Sequence, residues 1–461
     1  MKEHKQRAAK VPGILIFVLL ISLSSIAEKK NVLFIIADDL NNWQTCYGSF
    51  VKTPNIDKIA SRGTLFERAY CQFPVCGPSR ISMMTGMYAS KLGATGNHFK
   101  LRETWPNIKA LPQVFRENGY WTGRVSKIYH MGIPGDIVNG TPGVDLPESW
   151  NEAINIQAKE QYGKGNAEHL SPKLIHNGVS FAKLEVDEKR AKLEADHQAA
   201  EAAVKMIEQN KDKPFFIAVG FVRPHVPLIA PKRFFDMYPL NSIEVQKDIS
   251  AQELEKVNPT HQYYTNQVRY GMNELQKKKA IQAYAASISF MDEQVGKVLK
   301  AIEQNGLREK TIVVFTSDHG YSMGNSGVWQ KVSPIEEVLR VPLIISNPGS
   351  KAQRVNQIVE LIDLFPTLCS LTNLDIPKSV QGKNLKPVFS DPNHEFTKQY
   401  AYSISRNIHT LRTDRYRIIK HKDHYELFDL KTDPNQKVNI SNSSVFPEIK
   451  NLLSKAIKGD K

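Results

Sequence analysis

Two residue pairs and one short motif carry side chains suited to chemistry. Asp38-Asp39 closes the apolar run Asn31-Val-Leu-Phe-Ile-Ile-Ala37, and Asp318-His319 closes a second, Thr311-Ile-Val-Val-Phe-Thr-Ser317. Val/Ile/Leu/Phe runs without alternation read as strands buried on both faces, as in a parallel sheet. Ligands of such sheets bind beyond the carboxyl ends of the strands, where both pairs fall. Three carboxylates brought together repel one another unless a cation joins them, and oxygen-rich ligation points to a hard divalent ion, Ca²⁺ or Mg²⁺. His319 suits such an ion less well, because imidazole prefers softer metals. The other reading of either pair is a helix N-cap. The third feature is Cys76-Gly77-Pro78-Ser79-Arg80. Pro78 suits the first position of a helix. Cys76 then sits at a helix N-terminus, where free N–H groups and the dipole favour an anion. A cysteine there is either structural or a thiolate of low pKa. Arg80 lies one helical turn further on and can face the same site.

The elements that must position these side chains alternate between strand and helix. Phe215–Gly220 and Val341–Ile345 read as two more strands of the same buried kind. Residues 197–209 are rich in Ala and Glu with no breaker. Ile281, Tyr284, Ile288, Met291, Val295, Val298 and Ile302 recur in steps of three and four, the signature of one amphipathic helix face. Gly306 marks its stop. The pattern predicts an α/β domain with helices on both faces of a mostly parallel sheet. Residues 135–175 and 236–275 have poorer patterns and read as loops or excursions. Near the C-terminus, Arg415–Lys420 and Tyr425–Leu430 flank a polar turn at 421–424, a hairpin signal. A closing helix is expected over 446–457. The expected organisation is residues 1–27 as a signal, 28–389 as the catalytic domain and 390–461 as a small antiparallel α+β subdomain.

A chain of 461 residues with 41% apolar and 23% charged residues is ordinary globular material, which excludes disordered, collagen-like and multi-span membrane classes. Four cysteines exclude a disulfide scaffold. Net charge is +14; Lys2, Lys5, Arg7 and Lys10 against Glu3 leave the first 27 residues at +3 and the remainder at +11. A basic surface suits an anionic partner. The lysines are scattered rather than blocked, which also reads as a solvated surface and gives no nucleic-acid signature. Residues 2–10 are basic, 13–21 are apolar, and Ser25-Ile26-Ala27 offers small residues for cleavage. That is the three-part pattern of a secretory signal. The expectation is export to the periplasm or exterior with no stable membrane insertion after cleavage; a retained anchor is the alternative.

The motif order resembles the formylglycine-dependent type I sulfatases, a family of the alkaline phosphatase-like superfamily with the signature Cys-x-Pro-Ser/Ala-Arg. The resemblance runs from Ala37-Asp38-Asp39 through Thr53-Pro54-Asn55-Ile56-Asp57 and the cysteine motif. It continues to Ser317-Asp318-His319-Gly320 and Leu427-Phe428-Asp429-Leu430-Lys431-Thr432-Asp433-Pro434, so it covers nearly the whole chain. Lys127-Ile-Tyr-His130, Gly220-Phe-Val-Arg-Pro-His225 and Trp329-Gln330-Lys331 are most similar to iduronate-2-sulfatase-like members. Two departures stand out. Ser126 replaces the usual Gly before the lysine, and Asn325-Ser326 replaces Glu-His in Gly-Glu-His-Gly-x-Trp-x-Lys.

The resemblance implies an α/β alkaline phosphatase-like fold with a small C-terminal antiparallel sheet. It implies that Cys76 is converted to formylglycine by a formylglycine-generating or sulfatase-maturating enzyme. The hydrated aldehyde attacks sulfur, and its spare hydroxyl then expels sulfate by C–O cleavage, which splits one difficult step into two. Asp38, Asp39, the modified Cys76, Asp318 and His319 are the implied metal ligands, for Ca²⁺ ahead of Mg²⁺. Arg80, Lys127 and Lys331 are the implied cations facing nucleophile and sulfate. His130 is matched to the histidine that handles the gem-diol proton, and His225 to the acid that protonates the leaving alcohol. The expected activity is hydrolysis of a sulfated, glycosaminoglycan-like carbohydrate. The alternatives are a phosphonate or phosphodiester hydrolase of the same superfamily, and an inactive carbohydrate-binding homologue.

Overall fold

The chain is described here by a computed structural model covering residues 29–159, 167–172, 180–250, 252–253 and 265–459. The expected signal segment lies outside the described residues. Eight strands form one sheet: Asn31–Asp38 (β1), Thr64–Tyr70 (β2), Trp121–Ser126 (β3), Glu152–Ile154 (β4), Phe215–Pro224 (β5), Thr311–Ser317 (β6), Arg340–Ser346 (β7) and Gln353–Glu360 (β8). Their spatial order is β8-β2-β7-β6-β1-β5-β3-β4. β1 pairs in parallel with β5 and β6, β3 with β4 and β5, and β8 with β2. β7 runs antiparallel to both neighbours, so Val341–Ile345 is a buried strand but not a parallel one. Burial on both faces reflects a central position in the sheet and carries no information about direction.

Every residue of β1 is buried, and its side chains divide by the strand period of two. Leu33, Ile35 and Ala37 join a core with helices Ala195–Asn210 (α2) and Glu274–Gln304 (α3). Val32, Phe34 and Ile36 join the opposite core with Cys76–Thr85 (α1) and Leu364–Leu371 (α4). Helices therefore cover both faces, as the unbroken apolar runs require. α3 begins seven residues before the periodic apolar face. A capping box starts it there: Gln276 N donates to Asn273 Oδ1 and Asn273 N to Gln276 Oε1, each at 2.9 Å. Gly306 stands just past its end with φ +64°, as a stop residue should.

The two segments read as excursions contain short elements. Residues 135–175 include a helix at Gly135–Asn139 and the edge strand β4, whose brevity hides it from any periodicity. Residues 236–275 include the 3₁₀ turn Leu240–Ser242 and the one-turn helix Gln267–Tyr270. Cys46, Cys71, Cys76 and Cys369 are free thiols. No helix among the described residues is long and apolar enough to cross a membrane.

A second, antiparallel sheet follows in chain order: Ala401–Ser405 (β9), Ile408–Arg412 (β10), Tyr416–His421 (β11) and His424–Asp429 (β12). His421 pairs with His424, so the hairpin turn is tighter than expected and holds only Lys422 and Asp423. One face of this sheet packs Ile404, Leu411, Ile418 and Leu427 against Ile449 and Leu453 of helix Phe446–Gly459 (α5). The other face packs Ile408, Ile419 and Phe428 against Val328, Ile335 and Val338. The small sheet thus backs the segment that carries Lys331.

Glu336 ties this sheet to the large one. It accepts hydrogen bonds from Tyr70 Oη at 2.7 Å and Arg417 Nη2 at 2.5 Å, and Arg412 Nε lies 3.3 Å away. Burial alone would raise its pKa, but Arg417 and Arg412 outweigh burial and hold it at about 2 against an ordinary 4.5. A folded-state pKa below the unfolded one means stability that is complete above pH 4.5 and lost as pH falls toward 2. Glu336→Gln should therefore lower stability at neutral pH, by roughly 3–5 kcal/mol for a broken buried pair. It should also flatten the acid limb of a melting-temperature profile; an acid limb identical to the parent's would contradict this role.

Candidate active site

β1 delivers Asp38 to its carboxyl end, where the chain turns sharply at Asp39, a non-glycine residue with φ +62°. β6 ends beside it and delivers Asp318 and His319. α1 approaches N-terminus first, with Val75 as N-cap and Cys76 as its first residue. Pro78 is accordingly the third helical residue, not the first. Its missing N–H is harmless there, because the first-turn donors have no intrahelical partner. Gly77 N is satisfied by Asn97 Oδ1 at 2.9 Å, and Ser79 Oγ donates to the Asp318 carbonyl. Arg80 is fully buried; its Nε donates to Asp318 Oδ2 at 2.8 Å, Nη1 donates to the Lys127 carbonyl, and Nη2 lies 3.5 Å from Asp38 Oδ1.

The motifs converge on Cys76. Lys331 Nζ is 3.2 Å from Cys76 Sγ and 2.6 Å from Asp39 Oδ1. His319 Nε2 is 3.4 Å from each of the same two atoms. Lys127 Nζ is ion-paired with Asp38 Oδ2, and His225 Nε2 lies 3.9 Å from Asp39 Oδ2. Asp38, Asp39, Cys76 and His319 each present one ligand atom, all within 4.8 Å of one another. Asp38 Oδ1 and Asp39 Oδ2 are buried acceptors without a hydrogen-bond partner. His319 Nδ1 lies 2.9 Å from the Gly320 carbonyl, which can only accept, so Nδ1 carries a proton and Nε2 is the ring nitrogen turned toward Cys76 and Asp39. Orphaned carboxylate oxygens beside an imidazole nitrogen and a thiol fit a divalent cation. Asp318 stands outside this four-atom set. Its Oδ1 accepts from Asp39 N and His319 N at 3.2 and 3.0 Å, while Arg80 takes Oδ2.

Without a cation, the positive side chains of the cluster and its own protons balance the carboxylates. Burial would raise the Asp38 pKa, yet Lys127, His225 and Arg80 hold it well below the usual carboxylate range. Asp39 is pushed up to about 7 by burial and by Asp38, against the pull of Lys331. Burial also works against a Cys76 thiolate, but Lys127 and Lys331 bring its pKa below the ordinary value. His319 rises to about 9: burial opposes its charge, but Asp318 and Cys76 favour it more. His225 is depressed by burial and Lys331. His130 falls to about 3 through burial and Lys127.

Local backbone explains several sequence features. Ser126 adopts φ +60°, the left-handed region that favours glycine, which accounts for the usual Gly before the lysine. Gly220 of β5 faces the Lys127 backbone, where a Cβ would lie 2.1 Å from the Lys127 carbonyl oxygen. Ser326 turns to the C-terminal region, donating to the Asn435 carbonyl at 2.6 Å. His130 Nδ1 is buried and unpartnered, and its ring lines a cavity of about 310 Å³ with Asn97, Phe99, Tyr129 and Val144. Tyr284, read only as part of an apolar helix face, also accepts from Asn41 N and donates to the Asp39 carbonyl at 2.7 Å. A hydroxyl on an apolar stripe was its only signal.

A mostly parallel α/β sheet with this carboxylate, cysteine and histidine cluster at its carboxyl edge has the alkaline phosphatase-like fold. The Sulfatase family model matches residues 30–374, and the N-sulphoglucosamine sulphohydrolase C-terminal model matches 324–461. The chain belongs to the sulfatase family and is a sulfuric ester hydrolase. It is 32% identical over 444 residues to a sulfatase of Formosa agariphila, covering 91% of this chain and 84% of that one. To the iduronate 2-sulfatase of Homo sapiens it is 33% identical over 395 residues, covering 77% and 71%. A structure of a protein in complex with its substrate D-glucosamine-2-N,6-O-disulfate has TM-score 0.71 at 20% identity, covering 94% of this chain and 97% of that one. The phosphonate monoester hydrolase of Agrobacterium radiobacter has TM-score 0.77 at 20% identity, covering 94% and 95%. At that identity both structures speak for the fold alone.

A cation site of this kind is testable without turnover. Adding Ca²⁺ or Mg²⁺ to chelator-treated protein should raise its melting temperature, by the equivalent of about 2.7 kcal/mol at a hundredfold excess over Kd. Asp39→Asn should remove most of that gain. A melting temperature indifferent to both ions would sink the assignment.

Proposed function

We propose that the protein is an exported sulfatase that hydrolyses sulfate esters of a sulfated carbohydrate through a formylglycine made from Cys76. The observation that carries this reading is the placement of Cys76 Sγ at the N-terminus of α1, beside Lys331 and His319 and within 4.8 Å of a ligand oxygen from both Asp38 and Asp39. Formylglycine supplies a hydrated-aldehyde nucleophile, and a divalent cation, Ca²⁺ ahead of Mg²⁺, withdraws charge from the sulfate. Asp38, Asp39 and His319 would hold that ion, with Asp318 completing the set or orienting it through Arg80.

The remaining roles belong to the chain's own side chains. Lys331 and Lys127 face the nucleophile and the sulfate oxygens with fixed positive charge, and Arg80 locks Asp38 and Asp318 in place. His130, whose buried Nδ1 has no hydrogen-bond partner, is the group assigned to the gem-diol proton. His225 has Nδ1 2.7 Å from the Val226 carbonyl, so Nδ1–H is fixed and Nε2 is the atom that exchanges a proton. Burial and Lys331 disfavour the charged ring in the resting site; the negative charge of a bound sulfate ester would favour the Nε2 proton that the leaving alkoxide takes.

The carbohydrate assignment draws on the iduronate 2-sulfatase similarity, the +11 charge of residues 28–461 and the cavity beside His130, which would receive the sugar ring. Export draws on the basic and apolar blocks of residues 2–21. The partner in maturation is a formylglycine-generating or sulfatase-maturating enzyme.

The test compares sulfated sugars, aryl sulfates, phosphate esters and phosphonate esters. Sulfated sugars should be preferred, and a preference for phosphonates would favour the phosphonate hydrolase reading. His225→Ala should cost roughly 10²–10⁴-fold on a sulfated sugar, whose alkoxide needs an acid, and far less on an aryl sulfate. Equal losses on both would remove His225 from the acid role.

A further inference from the structure

Lys331 sits in a strained stretch of backbone. Gln330 and Val332, its two neighbours, both adopt φ +68°. The left-handed region is uncommon for any side chain and least tolerable for a β-branched one such as valine. Conformers of this kind persist only where surrounding contacts over-determine them, and they concentrate at functional sites. Trp329 and Gln330 pair antiparallel with Met323 and Ser322, and side-chain or backbone hydrogen bonds further hold Trp329, Gln330 and Val332.

The side-chain amide of Asn266 accepts from Trp329 N at 2.7 Å and donates to the Trp329 carbonyl at 2.8 Å. One amide thus satisfies both polar backbone groups of a buried residue, as a neighbouring strand would. Asn266 N also donates to the Gly327 carbonyl at 3.1 Å. Tyr270 Oη donates to Gln330 Oε1 at 2.7 Å. On the far side, Val332 N donates to the Pro74 carbonyl at 3.2 Å, two residues before Cys76. Phe181 stacks edge-on against both Tyr270 and Trp329, with ring centroids at 5.1 and 5.4 Å. Gln267 anchors the brace at its other end by a matching pair of hydrogen bonds to the backbone of Ile249.

We propose that Asn266 and Tyr270 are positioning residues that hold the Trp329–Val332 backbone so that Lys331 Nζ meets Cys76 and Asp39. The inference rests on the reading of Lys331 as a group that serves the nucleophile and the sulfate. Asn266 and Tyr270 bond to Trp329 and Gln330, not to Cys76 or its carboxylate neighbours, so their effect passes through Lys331. Releasing the brace lets the strained stretch relax, and the ammonium group drifts from its place.

A double-mutant cycle on the matured, metal-loaded enzyme tests this, with an aryl sulfate as substrate. Asn266→Ala should lower kcat/KM by roughly ten- to a hundredfold in the parent, the scale expected of an ångström-sized misplacement. In a Lys331→Ala background the same change should cost no more than about twofold, because the group being positioned is gone. Equal fold losses in both backgrounds would overturn the proposal by assigning Asn266 a general structural role. Tyr270→Phe, which removes only the hydroxyl, runs the same cycle if Asn266→Ala does not fold. A Lys331→Ala enzyme as active as its parent would overturn the Lys331 reading itself and the brace with it, whereas additive losses would overturn the brace alone.

Discussion

Two carboxylates at the end of one strand, Asp38 and Asp39, are buried side by side with no exposed surface. Like charges in a dry site repel and lose hydration, so the arrangement persists only if cations surround it. Each compensating charge arrives on a different element: Arg80 from α1, Lys127 from just beyond β3, Lys331 from the loop after β6. The spatial order β6-β1-β5-β3 brings those strand ends together across one edge of the sheet. Even so, Asp38 Oδ1 and Asp39 Oδ2 accept no hydrogen bond. A divalent cation is the simplest group that satisfies both and also relieves the charge that drives the His319 pKa upward.

The same demand for charge balance shapes the periphery. Lys127 follows a residue in the left-handed region, and β5 approaches its backbone so closely that only glycine fits at position 220. Lys331 lies between two strained residues, with the antiparallel C-terminal sheet packed behind Val328, Ile335 and Val338. Glu336, hydrogen-bonded to Tyr70 and Arg417 and ion-paired with Arg412, fixes that sheet to the main one. The C-terminal sheet is therefore a support for one wall of the site rather than a separate appendage.

Much of this was legible in the residues. Unbroken apolar runs marked β1, β5 and β6, because a strand buried on both faces has no polar alternation to hide it. Their terminal acids and the Cys-x-Pro-Ser-Arg motif converge: Asp38, Asp39, Cys76 and His319 present ligand atoms within 4.8 Å of one another, with Arg80, Lys127, His225 and Lys331 beside the two aspartates. Three things were not legible. The direction of β7 depends on how the chain connects, which burial does not encode. Charge and the family resemblance group Asp318 with the metal ligands, but that Arg80 and two backbone N–H groups also engage its carboxylate is not written in the sequence. Asn266 and Tyr270 lie in a stretch with no periodicity, and their partners are backbone groups and a side chain some sixty residues away, a relation no local pattern records.

The mass of the peptide containing residue 76, from protein made in a maturation-competent host and assayed in the same preparation, tests the central claim most directly. The account predicts an aldehyde or its hydrate at position 76, in proportion to sulfatase activity. Full activity in protein whose Cys76 is an unmodified thiol would contradict it.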